Sequence, residues 1–353
     1  MKSYFRGWEE GETVNLAALE VKDPIPRPVF SIIDQGMVRV CHDIFIRYKG
    51  GILLVRRKED PEKGSLWPIG GRMLRGIPIE ESLQCKVKEE CGLNLENIVC
   101  LGDARVFWRT NPLGHGKGYD AVSINYVATG IGELKLNALH EKPLIIGSED
   151  YTIAFRATLH PYIRDFMDMI FRGTKHEWRE YATEGGRPVD LSQLRGVRLS
   201  DEDYVTAQRS AVKASHAVFV HYKQGILLAK RSQPPAQNLW YPAAGKLERG
   251  LTTQESISRL IKSDYGLDVN RISKLGDTCR LLFKSNPKGK ETGYDTLELV
   301  FTANAEGSIV INKDRYSEWK FVNFKNVKRI IKEELHPFVK DYLTLAVEYL
   351  NKD

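Results

Sequence analysis

The sequence lacks the features of a disulfide-stapled, zinc-binding or membrane-spanning protein. Only five of its 353 residues are cysteine, and none forms a C-x-x-C pair, which argues for a reducing compartment and against structural zinc. The N terminus has no apolar signal-peptide core, and no run approaches the roughly 18 apolar residues that cross a bilayer. We therefore expect a soluble, cytoplasmic protein with no membrane partner.

The sequence also lacks a strong charge bias. Lysine and arginine number 52 and aspartate and glutamate 46, which gives a net charge of +6. An excess of this size is compatible with a phosphorylated small molecule, with nucleic acid or with no anionic partner. Because the basic residues are scattered, with the densest cluster at 56–58, a nucleic-acid partner is not favoured.

An internal repeat organises the chain, and repeats of this kind determine the architecture. GGILLVRR at 50–57 recurs as QGILLAKR at 224–231, and LHPYIRDF at 159–166 recurs as LHPFVKDY at 335–342. The two pairs are separated by nearly the same number of residues, so two copies of one domain follow each other. The predicted division is an irregular N-terminal arm (1–37), a first domain (38–172), a linker (173–199) and a second domain (200–353).

Each copy has the pattern of an α+β domain. Alternating apolar residues predict a hairpin that turns at Lys49-Gly50-Gly51, and a glycine-rich loop then leads into a helix over about 79–91. Strands near 99–108 and 120–129 follow, and an apolar-periodic helix around 162–170 closes the copy. We expect a sheet with helices packed on it.

The loop and the helix after it carry a charged motif, GRMLRGIPIEESLQCKVKEECGL, at 71–93. Glu89 and Glu90 lie in the last helical turn, where carboxylates oppose the helix dipole, and this favours cation binding. The alternative is a solvated pair in which Lys86, four residues before Glu90, is the ion-pair partner.

This motif resembles the Nudix box, which reads Gly, five residues, Glu, seven residues, Arg-Glu, apolar, any residue, Glu-Glu, any residue, Gly, apolar. Ile77, Cys85 and Lys86 replace the first Glu, the Arg and the next Glu. Both copies are similar to one branch of the family, the GDP-mannose mannosyl hydrolases, over most of each repeat. The resemblance implies two tandem Nudix-type α/β/α sandwich domains.

The resemblance implies substrate-binding residues in the first copy. Arg57 matches the family arginine on the nucleotide diphosphate, and Arg72 and Tyr126 match groups that stabilise the leaving group. A guanidinium suits this task because its fork of donors meets phosphate oxygens.

The resemblance also implies a metal and a base. Glu90, with Glu89 beside it and the Gly71 carbonyl, would hold Mg²⁺ or Mn²⁺. Asp43 matches a family aspartate at the site, and His140 matches the general base when the repeat is extended without a gap to Tyr316.

The second copy has Ala217, Lys246, Phe301 and Tyr316 in place of Asp43, Arg72, Tyr126 and His140. It retains Arg231 and Arg259, and Asp264 stands for the last box glutamate. We therefore expect this copy to be non-catalytic. Because the related single-domain hydrolases are homodimers, the two copies are predicted to form an intrachain pseudo-dimer in a monomeric chain.

Two classes of function remain open. The first is metal-dependent hydrolysis of a nucleoside-diphosphate sugar or related nucleoside diphosphate by the first domain, at carbon or at phosphorus. The second is binding of a nucleotide or nucleotide sugar without catalysis, because both boxes have lost polar residues and a domain can keep its pocket without its chemistry.

Overall fold

The chain divides into two units at Ser200. The first unit is residues 22–200, and the second is residues 201–353 together with 1–21. The structure is a computed structural model that describes residues 2–4, 19, 21, 25–223, 225–283, 293–323, 325–333 and 335–349. All five cysteines are free thiols. None of the described helices is both long and apolar enough to cross a membrane.

The first unit is built on one mixed sheet. Its elements are α1 (Arg27–Gly36), β2 (Arg39–Tyr48), β3 (Gly51–Arg57), β4 (Leu66–Trp67), β5 (Ile69–Arg72), α2 (Ile79–Cys91), β6 (Asn94–Trp108), β7 (Tyr119–Ile131), β8 (His140–Ile146), α3 (Ile153–Thr158), α4 (Pro161–Arg172), β9 (Glu180–Tyr181), β10 (Thr183–Glu184) and β11 (Arg187–Pro188). The strand order is β4-β3-β2-β7-β6-β9, with β5 on β2 and β8 on β3. Strands β2 and β7 are parallel.

Helices cover both faces of this sheet. Side chains alternate along β2, so His42 faces α2, where its Nε2 lies 2.9 Å from Ser82 Oγ. Phe45 faces α4 and lies 6.1 Å from the ring of Phe166. Helix α2 ends at Gly92, whose φ of 74° provides the left-handed cap. The unit is therefore the predicted α/β/α sandwich.

The second unit repeats this plan. Its elements are β1 (Lys2–Tyr4), α5 (Asp201–Ser210), β12 (Lys213–Tyr222), β13 (Gly225–Arg231), β14 (Trp240–Tyr241), β15 (Ala243–Lys246), α6 (Thr253–Tyr265), β16 (Asp268–Lys274), β17 (Cys279–Phe283), β18 (Tyr294–Glu306), β19 (Tyr316–Val322), α7 (Val327–Ile330) and α8 (Pro337–Tyr349). The strand order is β1-β17-β18-β12-β13-β14, with β15 on β12, β16 on β18 and β19 on β13.

Individual contacts recur as well as elements. Arg105 and Asp120 form a fully buried ion pair at 2.8 Å in the first unit, and Arg280 and Asp295 form its counterpart at 2.5 Å in the second. The parallel pair β2–β7 corresponds to β12–β18. The predicted tandem of two domains with one fold is therefore present in the structure.

Two segments differ from their predictions. The predicted irregular arm contains helix α1, which begins next to Pro26 and Pro28, since proline is compatible with a first helical turn. The rest of that arm lies largely outside the described residues. The predicted linker packs on the first unit: β9 pairs with β6, and Leu194 is buried with Phe107. Its short strands have no sequence periodicity because their partners are distant in the chain.

Candidate active site

A cavity of about 130 Å³ in the first unit lies at the face of the sheet that α4 covers. Asp43, Arg57, Gly70 and Gly71 line it, so β2, β3 and β5 all contribute. Gly70 is required here, because a Cβ at this position would lie 2.2 Å from Asp43 Oδ1. Three of the predicted site residues, Asp43, Arg57 and Gly71, thus line one cavity.

Asp43 is held by a buried hydrogen-bond network. Ser123 Oγ donates to its Oδ2 at 2.7 Å, and the Tyr162 hydroxyl lies within hydrogen-bond distance of the same oxygen. Tyr162 also contacts Asn125 Oδ1 at 2.6 Å. Burial raises the pKa of Asp43, although these hydrogen bonds and the charge of Arg57 oppose the rise. The carboxyl is therefore a positioned group beside the cavity.

His140 is paired with Glu90. Its Nε2 lies 2.8 Å from Glu90 Oε2, and both side chains are at least nine-tenths buried. The loop before β8 is tied to the end of α2, because Asn137 N donates to the Glu90 carbonyl at 2.9 Å. His140 Nδ1 is buried and has no hydrogen-bond partner among the described residues. Glu90 can therefore orient the imidazole and leave one nitrogen for a proton transfer.

The two candidate diphosphate arginines lie in different surroundings. Arg57 is opposite His140 in the β3–β8 pairing, and its Nε is buried with no hydrogen-bond partner in the described part of the chain. Arg72 lies with its guanidinium carbon 4.0 Å from the ring centre of Phe30 on α1. Burial, assisted by the charge of Arg39, lowers the pKa of Arg72. Arg57 is therefore the stronger candidate for binding an anion inside the cavity.

The side chains do not fit the predicted Mg²⁺ or Mn²⁺ site on Gly71, Glu89 and Glu90. Lys86 Nζ lies 3.0 Å from Glu89 Oε2 and 3.4 Å from Glu90 Oε1, and His140 takes the other Glu90 oxygen. Glu89 is 64% exposed. Among the described residues, no group of three or more His, Cys, Asp and Glu side chains is arranged to hold a metal ion. The ion-pair alternative for Lys86 is the arrangement found.

Lys86 reaches the loop that the Nudix box uses. A Cβ at Gly71 would lie 3.1 Å from Lys86 Cε and 3.6 Å from its Nζ. An ammonium group therefore lies between the glycine loop and the helix carboxylates, where the resemblance implies a divalent cation.

Tyr126 does not line the cavity that contains Asp43 and Arg57. Ser123 and Asn125 on β7 face Asp43 and Tyr162, so Tyr126, one residue further on, faces the opposite side of the sheet. It is 4% exposed and lies toward the α2 layer. Tyr126 therefore faces the side of the sheet covered by α2, the helix that carries Glu90, and its leaving-group role stays a prediction.

The second unit has a cavity of about 180 Å³ at the corresponding place. Asp264 is the counterpart of Glu90, and the Tyr316 hydroxyl donates to its Oδ2 at 2.7 Å, as His140 contacts Glu90. Tyr316 is opposite Arg231 in the β13–β19 pairing. The gap-free alignment of His140 with Tyr316 is thus matched by strand register.

A guanidinium occupies the position between loop and helix in this unit. Arg315 Nη1 lies 2.7 Å from Asp264 Oδ1, and its Nη2 donates to the Ala244 carbonyl at 2.9 Å. Leu260, the counterpart of Lys86, lies over Gly245 instead. Both units therefore place a basic side chain beside the box carboxylate, but they take it from different elements.

Several residues of these sites were not predicted from the sequence. Tyr162, Asn125 and Arg315 carry no local motif, and Glu298 lines the second cavity from β18. A position-by-position comparison of the repeats was the available signal, because it pairs Glu298 with Ser123 and Arg315 with Leu139.

Comparison with known proteins agrees with the fold. Residues 212–343 match the NUDIX domain, and the first unit has the same strand plan. The family match therefore covers most of the second unit, and the first unit shares the α/β/α fold of that unit.

Among its relatives is the low-salt glycan biosynthesis protein Agl8 of Haloferax volcanii. It is 26% identical over 152 residues, which cover 41% of this chain and 90% of that protein. Similar solved structures include the MutT NUDIX hydrolase from Burkholderia pseudomallei, at 24% identity and a TM-score of 0.31 over 38% of this chain and 98% of that one. The MutT protein from Methanosarcina mazei Go1 has 22% identity and a TM-score of 0.31 over 40% and 98%.

Proposed function

We propose that the first unit binds a nucleoside-diphosphate sugar or a related nucleoside diphosphate and hydrolyses the bond between the diphosphate and its substituent. The observation that carries the proposal is the His140–Glu90 pair at 2.8 Å, directly opposite Arg57. A base, its orienting carboxylate and a guanidinium opposite them are the parts that such a hydrolysis needs.

The chemistry follows from these positions. Arg57 binds the diphosphate, and a water molecule gives its proton to His140 as it attacks the substituent. The bond to the diphosphate oxygen breaks, and that oxygen keeps the electron pair. Asp43, held by Ser123 and Tyr162, positions a hydroxyl of the substrate in the cavity.

The positive charge beside the box carboxylates comes from Lys86 in this proposal. No step is assigned to Mg²⁺ or Mn²⁺, because Glu90 is already paired on both oxygens. Hydrolysis should therefore proceed in the presence of a chelator.

The second candidate is binding of the same ligands without hydrolysis. It is favoured by the basic side chain beside the box carboxylate in each unit, Lys86 in one and Arg315 in the other. A protein that only binds needs these charges but no base.

A panel of nucleotide sugars and nucleoside diphosphates tests the proposal. His140→Asn should lower turnover roughly 10² to 10⁴-fold, the usual contribution of a general base, with ligand affinity nearly unchanged. His176→Asn is the matched control, since His176 is also paired with a carboxylate, Asp103, at 3.1 Å but lines a different cavity from Arg57. Ligand binding without turnover in the wild type would select the second candidate.

The intrachain pseudo-dimer stays a prediction. It predicts that light scattering gives the molar mass of a single chain.

A further inference from the structure

The cavity of the second unit contains a buried carboxyl group at a position where the first unit has a serine. Glu298 is 3% exposed and accepts a hydrogen bond from Ser215 Oγ through its Oε2. Its Oε1 is buried with no hydrogen-bond partner among the described residues. A buried polar atom without a hydrogen-bond partner lowers the stability of the folded state unless a ligand or water binds it.

Glu298 replaces the acid that this unit has lost. The first unit has Asp43 on β2 and Ser123 on β7, joined by a hydrogen bond. The second has Ala217 at the Asp43 position and Glu298 at the Ser123 position. Ser215 pairs with Glu298 across the parallel strands β12 and β18, so small residues on β12 leave room for the longer side chain.

The basic group has moved in the same way. The first unit has Lys86 on the helix and Leu139 before β8, whereas the second has Leu260 on the helix and Arg315 before β19. In the second unit, the carboxyl group and the basic side chain are thus each absent from the position used in the first unit and present at a different one. Such a double exchange maintains the chemistry of a site, while simple erosion would leave the cavity apolar.

The remaining walls indicate the ligand. Arg231 lines the cavity, and its Nε is buried with no hydrogen-bond partner in the described residues. Tyr241 and Tyr294 also line the cavity, with Arg231 over the ring of Tyr241 and Lys213 over the ring of Tyr294. Lys246 contributes an exposed cation. A guanidinium with a buried, unbonded Nε can bind phosphate, and a carboxyl group can bind sugar hydroxyl groups.

We propose that the second unit is a ligand-binding site for a phosphorylated sugar, with the phosphate on Arg231 and a sugar hydroxyl on Glu298. The ligand is either a free sugar phosphate or the sugar-phosphate part of a nucleotide sugar. This site does not depend on hydrolysis in the first unit.

The test is calorimetric titration of the full chain carrying Arg57→Gln, which removes the proposed diphosphate-binding arginine of the first cavity. Glucose 1-phosphate and UDP-glucose are the probes, at pH 6, with glucose and inorganic phosphate as controls. We expect one binding event with at least one probe, weakened tenfold or more by Arg231→Gln and by Glu298→Ala. Glu298→Gln, which keeps the shape and hydrogen-bonding capacity, should retain affinity within about threefold.

Glu306→Gln on the exposed end of the same strand is the matched control and should change nothing. Circular dichroism establishes that each variant is folded. Binding of glucose 1-phosphate identifies a free sugar phosphate as sufficient, whereas binding of UDP-glucose alone identifies a nucleotide sugar. Absence of binding by both probes, or binding that Glu298→Ala and Arg231→Gln leave unchanged, would overturn the proposal.

Discussion

Glu298→Gln should stabilise the second unit above neutral pH and have little effect in acid. Burial raises the pKa of Glu298 to about 7 from 4.5, although the Ser215 hydrogen bond and the charge of Arg231 oppose this rise. The unfolded chain therefore releases this proton at lower pH than the folded one. The wild type loses roughly 3 kcal/mol of unfolding free energy as the pH rises from about 4.5 to about 7.

Glutamine does not ionise, so the variant escapes this loss. Its advantage over the wild type should grow from near zero at pH 4.5 to about 3 kcal/mol at pH 8. Cys279, fully buried and opposite Glu298, is the one cysteine in residues 201–353. Brief thiol labelling across a urea series, read at this cysteine by peptide mass spectrometry, therefore follows the second unit alone.

Glu306→Gln on the same strand is the control. Its unfolding free energy should differ from that of the wild type by the same amount at every pH. If the difference in unfolding free energy between Glu298→Gln and the wild type were also constant from pH 5 to pH 8, Glu298 would ionise as an exposed carboxyl does. The description of a buried acid in this cavity would then be wrong.

Two further changes test the first unit. Lys86→Glu restores a box carboxylate and removes the competing ammonium, so this variant should bind Mn²⁺, as measured by electron paramagnetic resonance. Lys88→Glu, on the exposed side of the same helix, is the control and should bind no Mn²⁺. Equal Mn²⁺ binding by both variants would refute the role of Lys86. Asp120→Asn removes the bidentate partner of the fully buried Arg105 and should lower the unfolding free energy of the first unit by about 3 to 5 kcal/mol. Urea unfolding followed by labelling of the buried Cys41 measures this loss. A loss below about 1 kcal/mol would show that Glu180, 3.6 Å from Arg105, compensates.

The sequence predicted the parts of the fold that depend on local pattern. The repeat, the β2–β3 hairpin at Lys49 and Gly50, the box helix and its glycine cap are all present, because each follows from periodicity or from a residue with special backbone freedom. The short strands at 180–188 were missed, since their stability comes from pairing with distant residues.

The site was predictable where one residue replaces another at the same position. His140 and Tyr316 were aligned correctly because strand register is preserved between the units. The role of Tyr126 stays a prediction, because matching a motif does not reveal which sheet face a residue occupies. Glu298 was missed because an exchange between strands is visible only when the strands are seen side by side.

We propose that the first unit hydrolyses a nucleoside-diphosphate-linked substrate with positive charge supplied by Arg57 and Lys86 and not by a metal ion. The direct test is product formation by the full chain on the nucleotide-sugar panel, with excess chelator and with added Mg²⁺. We predict that at least one substrate is turned over at the same rate in both conditions and that His140→Asn abolishes most of this turnover. Turnover that requires Mg²⁺, or that survives His140→Asn unchanged, would contradict the account.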